Sequence, residues 1–288
     1  MATPPARTEL ADAYPNPSNA AFRTGIGKLW DYVTERLGAT GSAADARTAL
    51  GIGSAITFRN LLINANGAIN QRGYVSATAT TSANEYTLDR WRVVTSGQNV
   101  SFGAASPDRT MTAPAGGLEQ VIEGALVIGG VYTLSWTGAA TATVNGTAIT
   151  NGGNTASLPA NTNVTVRFSG GTVTLPQFEL GTVATPFERR MLPVELQLCQ
   201  RYYETGKTEI GGAYPTGASG ATTIGEIVFK ATKCTLPTMA QRAGSASSNV
   251  SANAFLSIDV GSCGLSATIG GAVGNYSLAL LWSASAEL

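Results

Sequence analysis

P-Q-F-E-L-G-T-V-A-T-P-F-E-R-R-M-L-P-V-E-L-Q-L-C-Q-R-Y-Y-E, residues 176–204, is the stretch on which the reading of the chain turns. Phe178 and Leu180 alternate with polar neighbours as strand residues do, Gly181 breaks the alternation, and Pro186 fixes an extended approach to Phe187. Glu188, Arg189 and Arg190 form the densest local charge in a charge-poor chain. Pro193 then opens a new segment, in which residues 196–203 read as a linker strand that starts a second core. On such a strand the adjacent Tyr202 and Tyr203 face opposite ways. One β domain, residues 58–190, is therefore expected to close here, and a second, residues 191–288, to begin.

The totals agree with many short strands. Charged residues make up 12% of the chain and glycines number 34, against ordinary levels of ~25% and ~7%. β-prone runs separated by small polar residues favour strands with tight turns, so the fold class is expected to be mainly β. The 18 basic and 18 acidic residues cancel, which leaves no global field to draw in nucleic acid or an anionic membrane. There is no histidine, which removes Ser-His-Asp and Cys-His catalysis and every His-containing metal site. No metal and no cofactor are expected. Cys199, Cys234 and Cys263 are too far apart for C-x-x-C chemistry and read as buried free thiols, with a Cys234 to Cys263 bridge as the alternative. The N-terminal sequence lacks the apolar core of a signal peptide, and no run approaches the ~18 apolar residues of a membrane span, so a soluble protein made in the cytosol is expected.

Residues 1–17 carry four prolines and no period. Over residues 19–37, Phe22, Ile26, Leu29, Trp30, Val33 and Leu37 recur at spacings of three and four, which predicts a helix that Gly38 ends. Gly25 and Gly27 each cost it roughly 1 kcal/mol, so its apolar stripe must be buried against the next domain or against copies of itself, and self-association is favoured. A shorter helix is predicted over residues 42–50, closed by Gly51, and residues 1–57 are expected to form an N-terminal oligomerisation segment. From Phe58 the texture is β, with strands at residues 61–63, 86–94, 120–122, 131–136, 142–149, 164–168 and 173–178. Tyr132, Leu134 and Trp136 share the core face of one strand, and Asn145-Gly146 signals a type I′ hairpin turn. Trp91 is expected to point inward with Arg90 and Arg92 solvated. This spacing argues a sandwich or jelly roll. Beyond Glu204, strands are predicted at residues 226–232, 254–260, 265–269 and 276–282, in a unit small enough that oligomer contacts would supply missing burial.

Asn60-Leu61-Leu62-Ile63-Asn64, Gln71-Arg72-Gly73, Tyr86 to Trp91, Gln120 to Gly124, Ala184-Thr185-Pro186-Phe187-Glu188 and Cys199 to Tyr203 follow one another in the order seen in phage tail-fibre and receptor-binding proteins. The chain resembles that family over roughly residues 58–204, and Ala286-Glu287-Leu288 is similar as well. Residues 1–57 and 205–285 match only loosely. The resemblance implies a carbohydrate-binding-module-like β-sandwich in the middle, a homotrimer, attachment to a tail or baseplate protein through the N-terminus, and a distal C-terminal domain that meets host cell-surface polysaccharide. The loop between Trp136 and Asn145 is trimmed relative to the family, which suits the middle domain to a spacer role.

A lectin-like site needs an aromatic plate for the apolar face of a sugar and planar polar groups for its hydroxyls. In the C-terminal domain the candidates are Tyr214, Asp259, Tyr276 and Trp282, with Arg242 for an acidic sugar. Tyr276 and Trp282 share parity on an apolar run, which equally suits core packing; Tyr214, between glycine-rich turns, is the better exposed aromatic. A glycosidase needs two carboxylates across a cleft, and Glu119 with Glu123 or Glu179 with Glu188 are the nominees. Each lies in a motif that reads as structural, so no enzymatic activity is expected, and a virion component that binds surface glycan is the leading reading. A purely structural tail connector is the alternative, and a glycan-depolymerising tailspike is a lesser one.

Overall fold

The computed structural model describes residues 19–37, 58–104, 108–214, 220–271 and 274–288. The segment at residues 1–17 and the short helix read at residues 42–50 lie outside the described residues. The chain is mainly β, with several antiparallel sheets. Asn19–Leu37 is helical.

Two sheets make up the middle of the chain. One runs in the order Glu85–Tyr86, Arg92–Val93, Leu118–Ile122, Val164–Ser169, Thr141–Val144, Thr147–Ile149. The other runs Ser101–Phe102, Met111–Ala113, Gly171–Leu180, Tyr132–Thr137, Gly153–Asn154. Their inner faces share one core, in which Trp136 meets Phe168 edge-on at 5.4 Å and Tyr132 stacks on Phe178 at 4.9 Å, a sandwich-like arrangement. Tyr132, Leu134 and Trp136 are all buried on the predicted face. Asn145 and Gly146 have φ of 49° and 80°, the positive values that a type I′ turn demands, and Val144 pairs with Thr147 across it. Gly171–Leu180 pairs with Met111–Ala113 through Val173 and with Tyr132–Thr137 from Thr174 on, the latter ladder being irregular between Thr174 and Gln177. Leu175 takes φ 51° there, and Pro176 sits in the gap where no ladder donor is needed.

Residues 61–63 do not form the predicted strand. Asn64 turns the backbone to φ 56°, and side chains replace the ladder. Asn60 accepts from Leu62 N and Phe178 N at 3.0 Å each and donates to Pro176 O at 3.0 Å. Gln120 accepts from Ile63 N at 2.7 Å and donates to Ile63 O at 2.8 Å. The predicted strand at residues 86–94 is instead two short strands joined by a turn, with Arg90 at φ 69°. This turn buries the Arg90 side chain, where a continuous strand would have left it in solvent.

The predicted linker strand at residues 196–203 is also revised. Leu192–Gln200 is a helix, with Pro193 in its first turn, where a missing N–H costs nothing, and Glu195 close behind. Leu196 and Cys199, three apart on the helix, pack with Tyr202 just beyond its end and with Ile63 and Ile69 in a separate small core. Tyr202 and Tyr203 are both buried.

The C-terminal unit has its own pair of sheets. Tyr203–Tyr214 pairs with Gly274–Ser285 from end to end, flanked by Thr238–Gln241 and Ala246–Ser248. Ser262–Ile269 runs between Thr222–Val228 and Val250–Leu256. Ile227, Leu265, Leu278, Leu280 and Trp282 fill the space between. The three cysteines are free, which sets aside the Cys234 to Cys263 bridge; Cys199 and Cys263 are buried.

Candidate functional site

Of the predicted glycan residues, Tyr276 and Trp282 are buried and Asp259 is exposed. Trp282 is 4% exposed, donates Nε1–H to Thr208 Oγ1 at 3.0 Å and lies edge-on to Phe229. Its ring crosses the sheet over Gly206, where a Cβ would come within 2.3 Å of it. Tyr276 is 8% exposed and covers Gly212 in the same way. Both are corrected from ligand plates to core residues: each sits opposite a glycine on the long Tyr203–Tyr214 partner strand, and the missing side chain is the space its ring fills. Asp259 is exposed and caps its own turn, its Oδ1 accepting from Val260 N at 2.5 Å. Arg242 is half-buried, with its N–H bonded to Leu281 O on the strand that carries Trp282. The Tyr214 backbone pairs with Gly274 at the far end of the sheet; its side chain lies outside the described residues.

The four nominated carboxylates are each engaged in the fold. Glu119 accepts from Arg92 Nε at 2.9 Å and Arg167 Nε at 2.7 Å. Glu179 takes bonds from Thr185 N at 2.8 Å, Thr185 Oγ1 at 2.6 Å and Gln177 Nε2 at 2.8 Å. Glu188 accepts from Asn60 N at 2.9 Å. Glu123 takes Arg201 Nε at 2.9 Å, Arg201 Nη2 at 2.7 Å and the Tyr202 hydroxyl at 2.9 Å. Arg201 holds the Glu123 carboxyl below its ordinary range against the opposing pull of burial, the reverse of the raised pKa a general acid uses.

The densest built arrangement is the joint between the two β units. Arg90 is enclosed there: its guanidinium donates to Glu287 and to Val121 O and lies 3.5 Å over the Tyr202 ring. Arg72 reaches the same Glu287 at 2.9 Å and lies 3.7 Å over Tyr203, so two cations stack on two adjacent tyrosines and share one carboxylate. Tyr86 and Arg92 each donate to Leu288 O at 2.8 Å. Ala286 N donates to Tyr202 O at 2.7 Å, and Gln71 Nε2 to Tyr203 O at 2.9 Å. Behind it, Lys233 and Glu204 form a fully buried pair at 2.6 Å; burial pushes the Lys233 pKa down, opposed by Glu204. Burial likewise raises the Tyr202 hydroxyl, and Glu123 adds to the rise.

Sequence reasoning missed Arg72, Arg90 and Glu287 as partners. The signal was present as motif density, because the residues meeting here belong to the quoted motifs. Glu188, Arg189 and Arg190 tie the sandwich together: Arg189 makes a two-toothed pair with Asp108 at 2.8 and 2.6 Å, and Arg190 bonds Glu195 at 3.2 Å and the carbonyls of Asn60 and Leu62.

Two clefts border this framework. One of about 380 Å³, lined by both charged and apolar side chains, lies between the closing segment of the sandwich and the first turn of Leu192–Gln200. An apolar one of about 210 Å³ is lined by Phe58, Leu61, Leu126, Ile128, Tyr132 and Leu180. Among the described residues no cluster of metal-ligating side chains is present, and no helix is long and apolar enough to cross a membrane. The chain matches no family model and no curated protein.

Proposed function

We propose that this chain is a non-enzymatic phage tail-fibre or receptor-binding protein that works as a homotrimer. In this reading residues 1–57 attach to a tail or baseplate protein and trimerise, residues 58–190 are a jelly-roll-like spacer, and residues 191–288 are a small distal sandwich that recognises host cell-surface polysaccharide. The observation that carries it is the helix Asn19–Leu37, which leaves Ile26, Leu29 and Trp30 exposed in the single chain, Trp30 at 65%. An apolar stripe of this kind needs a partner helix. Val33 is half-buried; the side chains of Phe22 and Leu37 lie outside the described residues. Support also comes from the outward face of the three-stranded C-terminal sheet, where Ile224, Val228 and Leu256 are exposed beside Gly264 and Ala254.

Light scattering on the purified chain should return three times the 29.5 kDa subunit, and Trp30→Glu should lower it. A wild-type particle of one subunit sinks the trimer. Adsorption to host cells should fall in Tyr214→Ala; unchanged adsorption removes that residue from the reading. The burial of Tyr276 and Trp282 favours a second reading, a structural connector whose receptor work is done by another chain. A connector retains no host polysaccharide on the full-length protein, whereas a receptor-binding protein does.

A further inference from the structure

Leu126 and Ile128 are exposed on either side of Val127, which is buried. The 3₁₀ turn Gly124–Leu126 sets them there, with Leu126 N donating to Glu123 O and Val127 N to Gly124 O at 2.9 Å each. Together with Phe58, also exposed, they wall the apolar cleft of about 210 Å³ that Leu61, Tyr132 and Leu180 complete. An apolar cleft with exposed walls marks an interaction surface. Its volume of about 210 Å³ falls below the ~300–1,000 Å³ of small-molecule sites and suits one large side chain.

The helix Asn19–Leu37 carries such a side chain. Ile26, Leu29 and Val33 follow one another at three and four residues, the spacing of a seam between helices. Trp30 lies at the flank of that seam and is the most exposed of the helix's described apolar side chains, so copies of the helix that met along the seam would leave the indole at its edge. The chain itself brings ridge and cleft together: the twenty residues 38–57 reach at most about 70 Å, and they end at Phe58, in the wall of the cleft. A tether of this length gives an effective concentration on the order of mM, which a second copy in dilute solution does not match. Arg59 is the one charged residue lining the cleft, and Asp31, of opposite sign, follows Trp30. We propose that Trp30 seats in this cleft of its own chain, packing the helix against the start of the sandwich and leaving Ile26, Leu29 and Val33 to face other copies. Helix and sandwich are then held as one body instead of being joined through residues 38–57 alone. The docking does not depend on how many copies assemble, so it stands apart from the trimer.

The test is iodide quenching of tryptophan emission on the full chain. Of the four tryptophans, Trp91, Trp136 and Trp282 are 0%, 9% and 4% exposed, so a quenchable fraction reports Trp30. In the wild type that fraction should be close to zero at every protein concentration. Ile128→Glu places a charge in the wall of the cleft at an exposed position and should raise the fraction to about one quarter, Trp30 being one of four, while the subunit number from light scattering stays unchanged. Leu126→Glu should do the same and serves if Ile128→Glu fails to fold. Adding Trp30→Phe to either variant should return the fraction to zero, which assigns the signal. A wild type with a quarter of its emission quenched overturns the proposal. So does protection lost on dilution, as docking on a second copy would give, and so does protection that survives both glutamates, as a helix bundle alone would give.

Discussion

Glu287→Gln probes the joint most directly. The side chains of Arg90 and Glu287 are 1% and 5% exposed, so the substitution leaves the size of the contact unchanged while stranding a guanidinium out of water. Removing one partner of a buried pair costs about 3–5 kcal/mol, because the remaining charge keeps its desolvation penalty. Arg90 retains its bond to Val121 O and its stacking on Tyr202, which does not replace the lost carboxylate. Arg72, also bonded to Glu287, loses its partner in the same step. At about 2–4 °C per kcal/mol for domains of this order of size, the thermal midpoint should fall by roughly 6–20 °C. Differential scanning calorimetry should also show one endotherm broadening or splitting, as the two β units lose the contact that couples them. Lys207→Gln is the control: its pair with Glu209 is exposed on both sides, and such pairs are worth about 0–1 kcal/mol. A Glu287→Gln midpoint indistinguishable from that control would refute the reasoning.

Lys233→Met should destabilise the chain by about 3–5 kcal/mol in urea titration, because Glu204 is left buried with only the Lys230 N–H and, 3.9 Å away, the solvent-exposed Lys230 ammonium; changing Glu204 to Leu as well should restore most of the loss, since no unpaired buried charge then remains. The joint should also be acid-sensitive. The Glu123 pKa is lower folded than its ordinary 4.5, so its contribution is fully present above 4.5 and is lost as pH falls through the folded value; tyrosine fluorescence and near-UV dichroism followed from pH 7 downward should change in that window, and Glu123→Gln should flatten the change. A joint signal identical in wild type and Glu123→Gln would exclude Glu123 as its origin.

What the sequence shows and what it hides follow from range. The Asn145-Gly146 turn and the Tyr132, Leu134, Trp136 face are legible because each is decided by residues within a few positions. Arg90 is not legible: its partner Glu287 is 197 residues away, and the positive φ that points it inward leaves no mark at a non-glycine position. The helix Leu192–Gln200 is hidden by ambiguity, since Val194, Leu196 and Leu198 alternate as in a strand while Leu196, Cys199 and Tyr202 keep helical spacing. The first pattern is the more visible, but Pro193 in the first turn and the apolar surface of Ile63 and Ile69 favour the second. Residues 61–63 fail as a strand for a related reason: the amides of Asn60 and Gln120 do the pairing a neighbouring strand would have done. In the distal unit, alternation correctly marked Tyr276 and Trp282 as sharing a face, but not that the facing glycines make it an inner one.

The distance from Arg90 to Glu287 also orders events on the ribosome. Every residue of the sandwich sheets has been made before residues 286–288, which hold Arg72, Arg90, Arg92 and Tyr86 in place. Until then Arg72 and Arg90 lack the carboxylate they share, and Tyr202 has not received the Ala286 amide. The joint therefore cannot close before the last of its contributors is translated. A chain that stops short of residue 286 is left with an open, charged seam.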